Sequence, residues 1–202
     1  MFDARVLEAS REFIDRLAEQ LQERGIKADQ VTWAGFAVGL LALPLLALGA
    51  EFLAIIAILV NRVADGVDGA LARKQGPTDS GAFLDIVLDF IFYASIPLGF
   101  ALQNPEQNAA AAALLLFSFI GTASSFLAFA ILAERQQLKS LEFPRKGFYY
   151  LGGLTEATET IALFLICCLF PGLFPTLATL FAILCFLTTA LRIKAGVEVL
   201  SR

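Results

Sequence analysis

The chain has 202 residues, 58% of them hydrophobic, with a mean hydropathy of +0.74, a net charge of −4 and no histidine. The apolar excess excludes an ordinary water-soluble domain and fits one membrane domain. No basic patch is interleaved with aromatics, which argues against nucleic-acid binding. Without histidine the usual general base near neutral pH is missing.

Residues 3–24 place Val6, Phe13, Ile14, Leu17 and Leu21 at helical spacing opposite a face charged with both signs. This predicts an amphipathic helix on the membrane surface, ended by Gly25. The charge in residues 1–25 argues against a cleavable signal peptide. Two units are expected: an amphipathic juxtamembrane helix over 1–28 and a transmembrane domain over 29–202. Asp29 is placed to N-cap the first span, and Gly35 and Gly39 on that span predict a close helix contact. Pro44 predicts a kink. Residues 31–50, 107–133 and 160–191 carry no charge, and Pro171-Gly172-Leu173-Phe174-Pro175 splits the last stretch. The expected fold is all-α, with six transmembrane helices near 31–50, 52–73, 81–102, 108–133, 151–171 and 174–195.

With six spans and an internal N-terminus, all 15 Lys and Arg residues fall on one side. The positive-inside rule makes that side the cytoplasm, so both termini are expected there. Cys167, Cys168 and Cys185 lie inside predicted spans and read as small packing residues.

Residues 65–89, DGVDGALARKQGPTDSGAFLDIVLD, hold Asp65 and Asp68 at i, i+3 and Asp85 and Asp89 at i, i+4. Each spacing puts two carboxylates on one helix face. Ionisable groups beside apolar spans need a reason. Four carboxylates brought together repel one another and take up protons unless a cation joins them. Oxygen-only ligands favour Mg²⁺ or Mn²⁺. A metal site at the membrane's edge is therefore expected, with Asp65, Asp68 and Asp85 as its first ligands and Arg73 near an anion. Glu156 and Glu159, at i, i+3, are placed to support the site or to pair with a cation.

The pattern Asp65-x2-Asp68-Gly69-x2-Ala72-Arg73, then Gly81-x3-Asp85-x3-Asp89, resembles the signature of the CDP-alcohol phosphotransferases (CDP-alcohol phosphatidyltransferases). The seven residues between Arg73 and Gly81 are one fewer than in most members of that family. The resemblance implies a membrane enzyme in which an alcohol displaces CMP from a CDP-linked donor such as CDP-diacylglycerol. It also implies two divalent ions, with Asp89 as base and further ligand, and a homodimer. Gly69, Ala72, Arg73 and Gly81 would meet the nucleotide, with Thr32 and Thr78 as further contacts. Arg145, Lys146 and Arg192 are candidates to hold a phosphate of the acceptor. Partners would be the bilayer, the CDP-lipid and a small alcohol. The motif leaves the acceptor open, although Phe90 stands where phosphatidylglycerophosphate synthases often carry lysine. The rival reading is a cation transporter or channel built on the acidic cluster. It lacks a polar path across the membrane and the two similar halves common in transporters.

Overall fold

A computed structural model describes residues 2–136 and 155–201, with side chains from Arg11 onward. Among these residues the protein is all-helical: α1 (Phe2–Glu23), α2 (Ala28–Leu40), α3 (Ala42–Ala47), α4 (Glu51–Gln75), α5 (Asp79–Gln103), α6 (Pro105–Arg135), α7 (Ala157–Leu169) and α8 (Phe174–Leu200), with a 3₁₀ turn at Pro171–Leu173.

The apolar face of α1 is used inside the protein. Ile14, Leu17, Ala18 and Leu21 pack on Val67, Ala70 and Leu71 of α4. Lys74 closes the edge of this contact on Glu19 at 2.7 Å and holds that exposed carboxyl below its usual range. Gln75 pins the following turn, donating to the Ile26 carbonyl at 2.7 Å and accepting from the Ala28 amide at 3.2 Å. The chain therefore enters α2 beside the end of α4. The N-cap of α2 is Lys27, and Asp29 sits one position inside the helix. This corrects the expectation that Asp29 caps it.

The segment expected as one span over 31–50 is broken at Leu41 into α2 and α3. Pro44 has no amide hydrogen for the preceding turn, which is where the helix gives way. The expected close contact at Gly35 and Gly39 is present. A Cβ on Gly35 would collide with that of Ala64, and one on Gly39 would lie 2.7 Å from Asn61 Cγ. Leu46 of α3 nests on Gly99 of α5 in the same way. The helix expected from 108 starts at Pro105, because Asn104 caps it and proline suits the first turn. The fifth expected span begins at Ala157, with Glu156 and Glu159 forming its capping box. Its expected start at 151 lies outside the described residues.

The core joins Phe92, Ile96 and Phe100 of α5 to Leu115 of α6, Phe164 of α7 and Phe174 of α8, with Phe100 and Phe174 stacked at 4.4 Å. Cys167, Cys168 and Cys185 are buried in it as free thiols. The periphery is apolar as well: Phe52 is 73% exposed, Ile131 68% and Phe117 63%. Water does not tolerate such a surface, and hydrocarbon does. Among the described residues four helices are long and apolar enough to cross a membrane: Ala28–Ala47, Asp79–Gln103, Pro105–Arg135 and Pro171–Leu200. The protein is multi-pass. α4 is long enough but carries charge through its second half, and α7 is an apolar helix of only 13 residues.

Candidate active site

α4 and α5 are consecutive helices joined by a short turn, α2 packs on both, and the acidic motif is divided between them. Gly76 takes φ +97°, a conformation that side chains disfavour, and lets α4 stop and the chain reverse within Gly76-Pro77-Thr78. Thr78 caps α5, its hydroxyl accepting from the Gly81 amide at 3.0 Å. The motif's seven-residue gap is thus mostly helix, and Gly81 lies inside the first turn of α5 rather than at its start. A Cβ on Gly81 would come within 3.1 Å of Asp29 Oδ1. The bare backbone there is what allows α2 and α5 to approach.

Asp65, Asp68, Asp85 and Asp89 line one narrow cavity of about 20 Å³, together with Thr32 and Arg62. A volume of that size holds about one small ion or water. Asp68 is the most enclosed of the four, at 5% exposure. Two larger clefts open from the same wall. The first, of about 620 Å³, is lined by Lys27, Asp29, Thr32, Gly69, Ala72, Thr78 and Gly81, with Asp68 and Asp85 at its floor. The second, of about 550 Å³, includes the rings of Phe90, Phe119 and Phe126. It also reaches Asp85, Asp89, Thr160, Glu156 and Arg192. Asp85 borders all three spaces.

The residues named from sequence fall into place unevenly. Thr32, Gly69, Ala72, Thr78 and Gly81 share the first cleft. Arg73 is exposed, and its guanidinium lies over the backbone of Gly69. Arg192 is buried in the second cleft, donating to the Thr122 carbonyl at 3.1 Å beside the Phe126 ring. Arg145 and Lys146 lie outside the described residues.

Sequence reasoning missed Arg62, treating it only as a topological charge. Its Nη2 donates to Asp89 Oδ1 at 2.7 Å and its Nη1 stands 3.7 Å from Asp65 Oδ2. Asn61 Oδ1 accepts from the same guanidinium at 2.9 and 2.5 Å, and Asn61 donates to the Gly35 carbonyl at 3.1 Å. The signal was available: an arginine in an apolar run, three residues ahead of an aspartate.

The donor set around the narrow cavity is four carboxylates against one guanidinium. Oxygen-only, strongly anionic surroundings fit a hard divalent cation. Among the described residues no three acidic or cysteine side chains already converge as a finished metal site. Arg62 stands among them and engages two of the four.

The protein is a multi-pass helical membrane bundle with ionisable side chains gathered where two clefts meet. The sequence model of the CDP-alcohol phosphatidyltransferase family matches residues 26–193, and the chain belongs to that family. The chain is 52% identical over 196 residues to inner membrane protein YnjF of Escherichia coli, covering 97% of this chain and 95% of that one. It is 39% identical over 90 residues to archaetidylinositol phosphate synthase of Pyrococcus horikoshii, covering 44% and 48% of the two chains. Its fold is shared with Mycobacterium tuberculosis phosphatidylinositol phosphate synthase PgsA1 with CDP-DAG bound, at a TM-score of 0.74, 21% identity and coverage of 92% and 94%. The same enzyme in complex with manganese and citrate superposes at a TM-score of 0.72, 22% identity and coverage of 91% and 88%.

Proposed function

We propose that this protein transfers a phosphatidyl, or other substituted phosphate, group from a CDP-linked lipid to an alcohol and releases CMP, with CDP-diacylglycerol as donor. The observation that carries the proposal is the shared aspartate wall. A cleft lined by small residues and a cleft with a buried cation meet at Asp85, with Asp68 in the first and Asp89 in the second. The CDP headgroup suits the first, where Gly69, Ala72 and Gly81 leave the helix backbone open to a nucleotide. The acceptor suits the second, where Arg192 offers a charge to a phosphate. The CDP-DAG bound by PgsA1 supports the donor assignment, and its manganese complex supports Mg²⁺ or Mn²⁺ here. Asp65, Asp68, Asp85 and Asp89 would hold the metal, as two ions in the full site. The bound metal supplies neutralisation of the pyrophosphate and of the departing CMP.

The remaining steps belong to side chains. Asp89 borders the second cleft and accepts the acceptor's hydroxyl proton as the new oxygen–phosphorus bond forms. The bond to the CMP oxygen breaks and CMP leaves with the electron pair. Arg73 and Thr32 position the nucleotide. In a six-span arrangement all the basic residues fall on one side of the membrane, which supports a cytoplasmic location for the clefts and both termini. The amphipathic helix within 1–28 packs on α4 at that side, the catalytic domain runs over 29–202, and two copies pair as a homodimer.

The test is CMP release from labelled CDP-diacylglycerol by purified protein, with Mg²⁺ or Mn²⁺ and a panel of alcohols. Metal-dependent release with one alcohol is expected. Protein that binds no cytidine nucleotide with metal present, yet moves cations into liposomes, would establish the transporter instead.

A further inference from the structure

We infer that Arg62 is a positioning residue, a resident cation that fixes Asp89 at the inner end of the aspartate cluster. This rests on the transferase reading above and adds to it a residue outside the Asp65-to-Asp89 motif.

The geometry is specific. Arg62 is only 17% exposed, between α4 and α5. Its guanidinium is gripped before it reaches any aspartate. Asn61 Oδ1 accepts from Nε and Nη2, Nη1 donates to the Tyr93 hydroxyl at 3.3 Å, and the Phe92 ring lies 4.5 Å below. Asn61 is itself tied to the Gly35 carbonyl of α2. Three helices therefore converge on one planar group, and that group presents Nη2 to Asp89 Oδ1 at 2.7 Å. A planar fork held this way fixes the direction of its partner, which a flexible ammonium cannot do. With Oδ1 engaged, Asp89 offers Oδ2 to the reaction. Asp65 is 3.7 Å from the guanidinium, and the guanidinium makes no ion pair with Asp68 or Asp85.

Two consequences pull in opposite directions. Positioning Asp89 assists turnover, because a base works only when its oxygen is aimed. A fixed positive charge beside the cluster opposes entry of a divalent cation. Removing the charge should therefore tighten metal binding while slowing the reaction. A side chain that merely supported the fold would loosen the metal and slow the reaction together.

The experiment compares wild type, Arg62→Met and Arg62→Lys by titration with Mn²⁺ alone, followed by electron paramagnetic resonance. CMP release from CDP-diacylglycerol is measured beside it at saturating metal. For Arg62→Met, Mn²⁺ should bind roughly tenfold tighter or more, while kcat falls roughly 10²-fold with little change in KM for the donor. Arg62→Lys keeps the charge without the fork, so Mn²⁺ affinity should stay near wild type while kcat still falls. This second variant decides the matter even if the methionine variant does not fold. Weaker Mn²⁺ binding in Arg62→Met, or wild-type kcat in Arg62→Lys, overturns the inference and leaves the transferase reading standing. A wild type that binds no Mn²⁺ overturns both.

Discussion

Replacing Asp85 by asparagine isolates the aspartate wall from the fold that carries it. Asp85 is exposed at the meeting point of all three spaces, and among the described residues its carboxylate accepts no hydrogen bond. Asparagine matches its volume and removes only its charge. The unfolding free energy should therefore move by no more than about 0.5 kcal/mol, as for an exposed substitution away from packing. The catalytic effect should be large. A metal ligand contributes several kcal/mol of charge stabilisation in the transition state. Taking about 3–5 kcal/mol, at 1.36 kcal/mol per decade, gives a loss of roughly 10²- to 10⁴-fold. The assay is CMP release from labelled CDP-diacylglycerol at saturating Mn²⁺, beside thermal unfolding of the same detergent preparation. Wild-type turnover by a folded variant would remove Asp85 from the site. Slow turnover with a markedly lowered Tm would mean that Asp85 is structural.

Asp89→Asn should lose roughly 10²- to 10⁴-fold in turnover, the usual cost of a positioned base, while donor affinity falls much less; equal losses would take the base role from Asp89. Gly35→Val should destabilise the bundle by about 1–3 kcal/mol through overpacking against Ala64, read as a lower Tm in detergent, and an unchanged Tm would refute the tight α2–α4 contact. Gly81→Ala brings a methyl within 3.1 Å of Asp29; it should raise the KM for the CDP-linked donor several-fold, and an unaltered KM would separate that turn from the nucleotide. Single cysteines at Asn104 and Gly172, in a background without the native three, should react with an impermeant reagent from outside intact cells, and a cysteine at Lys74 should not. Labelling at Lys74 would overturn the six-span orientation.

What could be read in advance was what period and charge encode. The all-helical class and the pairing of Asp65 with Asp68 and of Asp85 with Asp89 on helix faces follow from spacing alone. What could not be read was side-chain reach between helices. Arg62 and Asp89 are 27 positions apart and meet only because a three-residue turn reverses the chain and α2 packs on both α4 and α5. Asp29 had the residue type of an N-cap, yet Lys27 holds that position because Gln75 pins the preceding turn. The face of α1 reads as membrane-binding from its pattern, and four of its apolar residues instead cover α4. An amphipathic stripe reports that something apolar will cover it, not what does.

The depth of the cluster follows from helix geometry. Asp65 is 14 residues from Glu51 and Asp89 is 14 from Gln103, which at 1.5 Å per residue sets both about 21 Å from the far ends of their helices. The hydrocarbon core is about 30 Å thick, so the carboxylates sit below one surface rather than at the midplane. The ends of α4 and α5 on that side carry Arg73, Lys74, Asp79 and Ser80, which belong in water. On the opposite side Leu46, Ile58, Ile96 and Phe100 are fully buried in the core and fill the space between the helices. A transporter needs access to its site from both surfaces. A transferase joining a water-soluble headgroup to a membrane-held tail needs its reacting phosphorus about one helix turn or two beneath a single interface, with a wet opening above and a lateral apolar one beside it. The aspartates lie toward the charged ends of α4 and α5, and the two clefts open from them.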